Sequence, residues 1–103
     1  MNNKIQIYTD KIAKIVAKFP EITRAVVIGD AVNDNFVFDN DENIWLAIYT
    51  KPDAKISKLC CDLNATFGDN GLNEIDLYPM ADENFYVAAA SLIPDGEVIF
   101  ERK

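Results

Sequence analysis

The sequence predicts one small α/β domain, of the α+β kind, with a mixed sheet of three to four strands and helices packed mainly on one face. Three observations carry this expectation. Short β-branched runs alternate with segments of helical apolar spacing, the order expected when helices cover a single sheet. Only 103 residues are present, enough for one hydrophobic core and no second one, so residues 1–103 read as a single domain. Half of the residues are hydrophobic and 26% are charged, an ordinary globular balance.

Taken in order, Ile5, Tyr8, Ile12, Ile15, Val16 and Phe19 recur at steps of three and four, so residues 4–19 read as an amphipathic helix that Pro20 ends. Residues 24–28 form a β-branched run stopped by Gly29 and Asp30, a buried strand entering a tight loop. Residues 30–41 are rich in Asn and Asp and read as a loop with room for one helical turn. Residues 44–49 are a second, more apolar strand, closed by a turn through Pro52 and Asp53. Ile56, Leu59, Cys60, Leu63 and Phe67 return to helical spacing, with Gly68 and Gly71 as the stop. Residues 74–78 alternate polar and apolar and are cut off by Pro79, residues 82–92 read as a last helix, and residues 94–96 turn into a strand at 97–100.

Composition excludes several function classes. Ten Lys and Arg against 17 Asp and Glu give a net charge of −7, and the basic residues are scattered, so direct nucleic-acid binding is not expected. An acidic domain suits a basic protein partner instead. With no histidine, a histidine triad, a histidine general base and a typical zinc site are excluded. Cys60 and Cys61 are neighbours on a helix and read as reduced thiols. With no signal-peptide-like or membrane-length apolar run, a cytoplasmic location and no membrane contact are expected.

The residues with chemical interest form an ordered trio. A buried strand ends at Gly29 and Asp30, an acidic loop enters the second strand through Asp41, Glu42 and Asn43, and Asp76 lies on the third strand. This order resembles the minimal nucleotidyltransferases of the DNA polymerase β superfamily. In that family a hydrophobic strand ends in Gly-Ser or Gly-Gly. An acidic-hydrophobic-acidic-hydrophobic stretch follows, and a third acid sits on a later strand. The resemblance runs from about residue 4 to 101, including the helix before the first strand and the closing helix, turn and strand. It implies a nucleotidyltransferase-like fold in which Gly29 and the residue after it approach a triphosphate and three carboxylates clamp Mg²⁺. Physically, glycine permits close backbone approach. Acids two residues apart on a strand share a face, and the third completes a two-metal site.

The chain departs from that pattern at its critical places. Asp30 stands at the serine position, where its charge repels a triphosphate. The acidic pair aligns in two ways. In the first, Ile44 and Leu46 hold the hydrophobic positions and the pair becomes Asn43 and Trp45, so both carboxylates are lost. In the second the pair becomes Asp41 and Asn43, which keeps one acid but puts Glu42 at a core position. The first is preferred because a core pattern is costly to violate. Asp76 matches the third acid in both. The candidate metal positions are therefore Asp41, Asn43 and Asp76, with Asp76 catalytic only in an active enzyme, Gly29 and Asp30 nucleotide-facing, and Trp45 a lost motif position.

Read without the resemblance, Gly29 is a turn residue, Asp39, Asp41 and Glu42 are solvated loop acids, and Asp76 is a solvent-facing strand residue. Trp45 then packs, or stacks on a base or a partner side chain. Phe36, Phe38, Phe85 and Tyr86 read as core or loop anchors. The resemblance implies a domain that binds protein without catalysis, as the antitoxin-like partner of an all-helical HEPN-type protein, with no cofactor. The alternative is an active enzyme moving a nucleoside monophosphate from an NTP to a protein or small molecule, with Asp41, Asp76 and a substitute such as Glu42 holding Mg²⁺. The sequence is compatible with a homodimer through edge strands but does not require one.

Overall fold

A computed structural model of the chain describes residues 3–33, 43–80 and 92–102. The expected helix at 82–92, except Leu92, lies outside these residues, as do Phe36, Phe38, Asp39, Asp41, Glu42, Phe85 and Tyr86.

The described elements, in chain order, are α1 (Asn3–Val16), β1 (Ile22–Ile28), β2 (Ile44–Thr50), α2 (Ile56–Asp69), β3 (Ile75–Pro79) and β4 (Glu97–Glu101), with 3₁₀ turns at Gly29–Val32 and Ile93–Asp95. The four strands form one mixed sheet in the order β3-β2-β1-β4. β1 pairs antiparallel with both β2 and β4, while β2 and β3 are parallel and joined through α2. The fold is therefore mixed α+β, as the alternation of strand and helix patterns implies, and it is consistent with a nucleotidyltransferase-like fold.

Each element follows from its apolar pattern. α1 buries Ile5, Ile12, Ile15 and Val16 along one stripe, together with Thr9, whose hydroxyl donates to the Gln6 carbonyl at 3.1 Å. α2 buries Leu59, Leu63 and Phe67. Its end is a Schellman turn: the Leu72 N–H donates to the Phe67 carbonyl at 2.8 Å, and the Gly71 N–H to the Gly68 carbonyl at 3.1 Å. Gly71, rather than Gly68, takes the left-handed conformation (φ +74°) that closes the turn, and Leu72 packs in the same core as Phe67.

The main core lies between the two helices and one face of the sheet, where Ile22, Ala25 and Val27 of β1 and Ile44, Leu46 and Ile48 of β2 meet α1 and α2. Ile22 and Ala25 are three residues apart yet face the same way, because β1 carries one extra residue there: Ile22 pairs with Thr50 but Arg24 with Tyr49. A bulge of this kind reverses the alternation of a strand. The opposite sheet face carries a smaller cluster of Val26, Ile28, Ala47 and Met80, with Tyr49, Tyr78, Leu92 and Ile93 against it. This second face holds the residues of functional interest. Among the described residues, no helix is long and apolar enough to cross a membrane.

Candidate functional site

Strand register brings the candidate residues together. Trp45 lies opposite Ile28 of β1 on one side and Asp76 of β3 on the other, so Ile28, Trp45 and Asp76 form one row across three strands. Ile44 and Leu46 are fully buried on the helix side, and period-two alternation therefore turns Trp45 to the other face. Asn43 joins it there, since its side-chain amide donates to Asp76 Oδ1 at 3.2 Å. Tyr78, two residues beyond Asp76 on β3, sets its ring 5.5 Å from that of Trp45 at a tilt of 51°. Centroid distances in this range are typical of stabilising tilted aromatic pairs.

Gly29 completes the arrangement from the end of β1. Its φ is +77°, and a Cβ built on it would stand 3.2 Å from Cε3 of Trp45. The indole therefore rests against bare backbone at the strand end, in space that a side chain would contest. Asp30 follows in the 3₁₀ turn and is exposed. Trp45 itself is 39% exposed, unusual for a large apolar side chain in a sheet whose other β2 residues are mostly buried.

Among the described residues, the sheet face sets one acid, Asp76, beside two aromatic rings. Asp76 is exposed, and among the described residues its carboxylate has one hydrogen-bond partner, the Asn43 amide. Burial, and then the charge of Asp76, push the Tyr78 phenol up. A groove of about 460 Å³ adjoins the site at the outer edge of β3, lined by Ile56, Ser57, Cys60 and Asn64 of α2 and by residues 75–79. Asp76 and Tyr78 belong to both the groove and the sheet face.

Gly29, Asn43, Trp45 and Asp76 are thus brought into one locality, whereas Asp41 lies outside the described residues. The chain matches no family model and no curated protein. The functional reading therefore rests on the site's own chemistry. Among the described residues, no group of three acidic or thiol side chains gathers where a metal could bind. Among the described residues the donors here are one carboxylate and one amide, and that amide's NH₂ is turned to the carboxylate. Mg²⁺ needs an octahedral oxygen shell drawn from carboxylates, water and phosphates, which these two residues alone do not supply.

Tyr78 is the residue that sequence reading passed over. The sequence pattern marks it only as the last residue of a strand over 74–78 that Pro79 cuts off, although its spacing of two from Asp76 places the two on one face. Its partner in the aromatic pair, Trp45, lies on a different strand, and only the parallel register of β2 with β3 reveals the contact.

Proposed function

We propose that this chain is a non-catalytic, nucleotidyltransferase-like domain that acts by binding a protein partner, the antitoxin-like counterpart of a helical HEPN-type protein. The observation that supports it is the pair Asn43 and Trp45 on the sheet face beside Asp76, an amide and an indole where metal chemistry would require carboxylates. The Trp45 indole lies against Gly29, the backbone position to which the resemblance would bring a phosphate. The net charge of −7 and the exposed Asp30 oppose a triphosphate further and favour a basic protein surface. The partner class comes from the resemblance of the chain's motif order alone.

Co-expression with the product of the neighbouring gene tests the reading, and a stable complex is the expected result. Calorimetry of the purified chain with Mg²⁺ and ATP tests the enzymatic alternative. No heat of binding is expected at millimolar nucleotide, and tight metal-dependent binding would reverse the assignment.

A further inference from the structure

We propose that the notch formed by Trp45, Tyr78 and Asp76 receives an arginine side chain presented by a protein partner. The inference deepens the protein-binding reading above and rests on it for the identity of the ligand's carrier. It begins from an imbalance at the site. Trp45 is 39% exposed and leans against Tyr78, while Asp76, next to it across β2 and β3, is exposed and held only by the neutral Asn43 amide among the described residues. An aromatic face beside a carboxylate that no cation meets among the described residues is complementary to one side chain above the others. A guanidinium is planar and weakly hydrated, so it stacks on an indole while its N–H groups fork onto a carboxylate.

The chain's own cations whose contacts are seen are engaged elsewhere. Arg24 lies over the Tyr49 ring and 3.4 Å from Glu101, Lys58 pairs with Asp62 at 2.7 Å, and Arg102 bonds the carbonyls of Ala17, Phe19 and Ile22. The Asn43 amide occupies Oδ1 of Asp76, and among the described residues no hydrogen bond reaches Oδ2. A lysine lacks the planar group that stacks, and a nucleobase would bring phosphates toward Asp30 and Asp76 in a chain of net charge −7.

The single tryptophan of the chain is its own reporter. Its emission is to be followed while blocked Ala-Arg-Ala is added, with blocked Ala-Lys-Ala, the citrulline counterpart and Mg²⁺–ATP as parallel titrants. A saturable change with the arginine peptide is expected, with a weaker response to lysine and none to citrulline, which keeps the shape but lacks the charge. Asp76→Asn, an exposed position, is expected to weaken arginine binding by about tenfold, the loss of one charge-assisted pair. No saturable response to arginine, an equal response to citrulline, or a response to Mg²⁺–ATP alone would overturn the proposal. The partner complex separates the two readings. A complex that forms and is unaffected by Asp76→Asn overturns the arginine notch while the binding role stands. A chain that binds the arginine peptide yet forms no complex supports the notch and removes the proposed partner.

Discussion

At Gly29 and Gly71 the backbone takes nearly the same left-handed conformation, with φ of +77° and +74°, but the surroundings differ. A Cβ at Gly71 would meet nothing within 4 Å, whereas one at Gly29 would press on the Trp45 ring. Comparing Gly29→Ala with Gly71→Ala therefore separates backbone strain from the indole contact. Both substitutions should lower stability in urea by about 1–2 kcal/mol, the cost of a left-handed L-residue, and only Gly29→Ala should also shift Trp45 emission. Equal spectra for the two variants would mean that the indole does not rest on Gly29 in solution. A second residue-scale prediction concerns Tyr8. Its hydroxyl donates to Glu74 Oε2 at 2.9 Å and accepts from the Glu74 N–H at 3.4 Å, tying α1 to the chain just before β3. Burial, followed by the hydrogen bond to the Glu74 side chain, pushes the phenol from its ordinary 10.0 to about 12. A raised pKa favours the protonated form in the folded state. The stabilisation is therefore fully present below pH 10 and is lost as pH rises toward about 12. Denaturation curves across that window should show falling stability, with a shallower fall in Tyr8→Phe.

Between elements, the residue after β4 clasps the connection between α1 and β1. Arg102, just beyond β4, donates from Nε to the Ile22 carbonyl at 3.3 Å and from Nη2 to the carbonyls of Ala17 and Phe19 at 3.3 and 3.4 Å. Its guanidinium also lies 5.1 Å from the centre of the Phe100 ring. A cation beside the carbonyls that follow α1 complements the helix dipole, with the Phe19 carbonyl also accepting from the Ile22 N–H at 3.0 Å. Arg102→Ala should cost about 1–2 kcal/mol in thermal or urea unfolding, and lysine should recover only part of it because it cannot fork across the carbonyls. No local sequence signal announces this clasp, because Arg102 is about eighty residues from its acceptors along the chain. The same limit governs what was legible in the fold. α1, α2 and the four strands follow from periodicity within one segment, and their boundaries moved by only a few residues; the expected helix 4–19 ends at Val16, for example. The two-faced burial of β1 was implied by its β-branched run, but the bulge beside Thr23 depends on pairing with β2 and could not be read locally. At the site, Ile44 and Leu46 are read from the sequence as core positions and are buried, whereas the exposure of Trp45 is not contained in the apolar run. The aromatic contact with Tyr78 and the Asn43 bond to Asp76 arise from the parallel register of strands separated by a whole helix, which no spacing rule within either strand contains.

For the molecule as a whole, two properties bear on the proposed partner at different stages of binding. Among the described residues the helices cover one sheet face, and the proposed recognition lies on the other, where an exposed aromatic and an acid sit beside a small apolar cluster. The net charge of −7 acts at longer range and is indifferent to the notch. Long-range attraction raises the rate of encounter with a basic partner, whereas close, desolvated contacts set how long the complex lasts. Salt and mutation should therefore divide cleanly between the two rates in the proposed complex. The screening length falls from about 10 Å at 0.1 M to about 3 Å at 1 M, so the association rate should drop by about tenfold or more over that range. Dissociation should change far less with salt. Asp76→Asn removes one negative charge from a surface dominated by many, so its association rate should stay close to wild type while its dissociation quickens. Stopped-flow measurements on Trp45 emission follow both phases directly. An association rate insensitive to salt would show that net charge does not guide encounter, and an Asp76→Asn complex with unchanged lifetime would show that the contact holding it lies away from the notch.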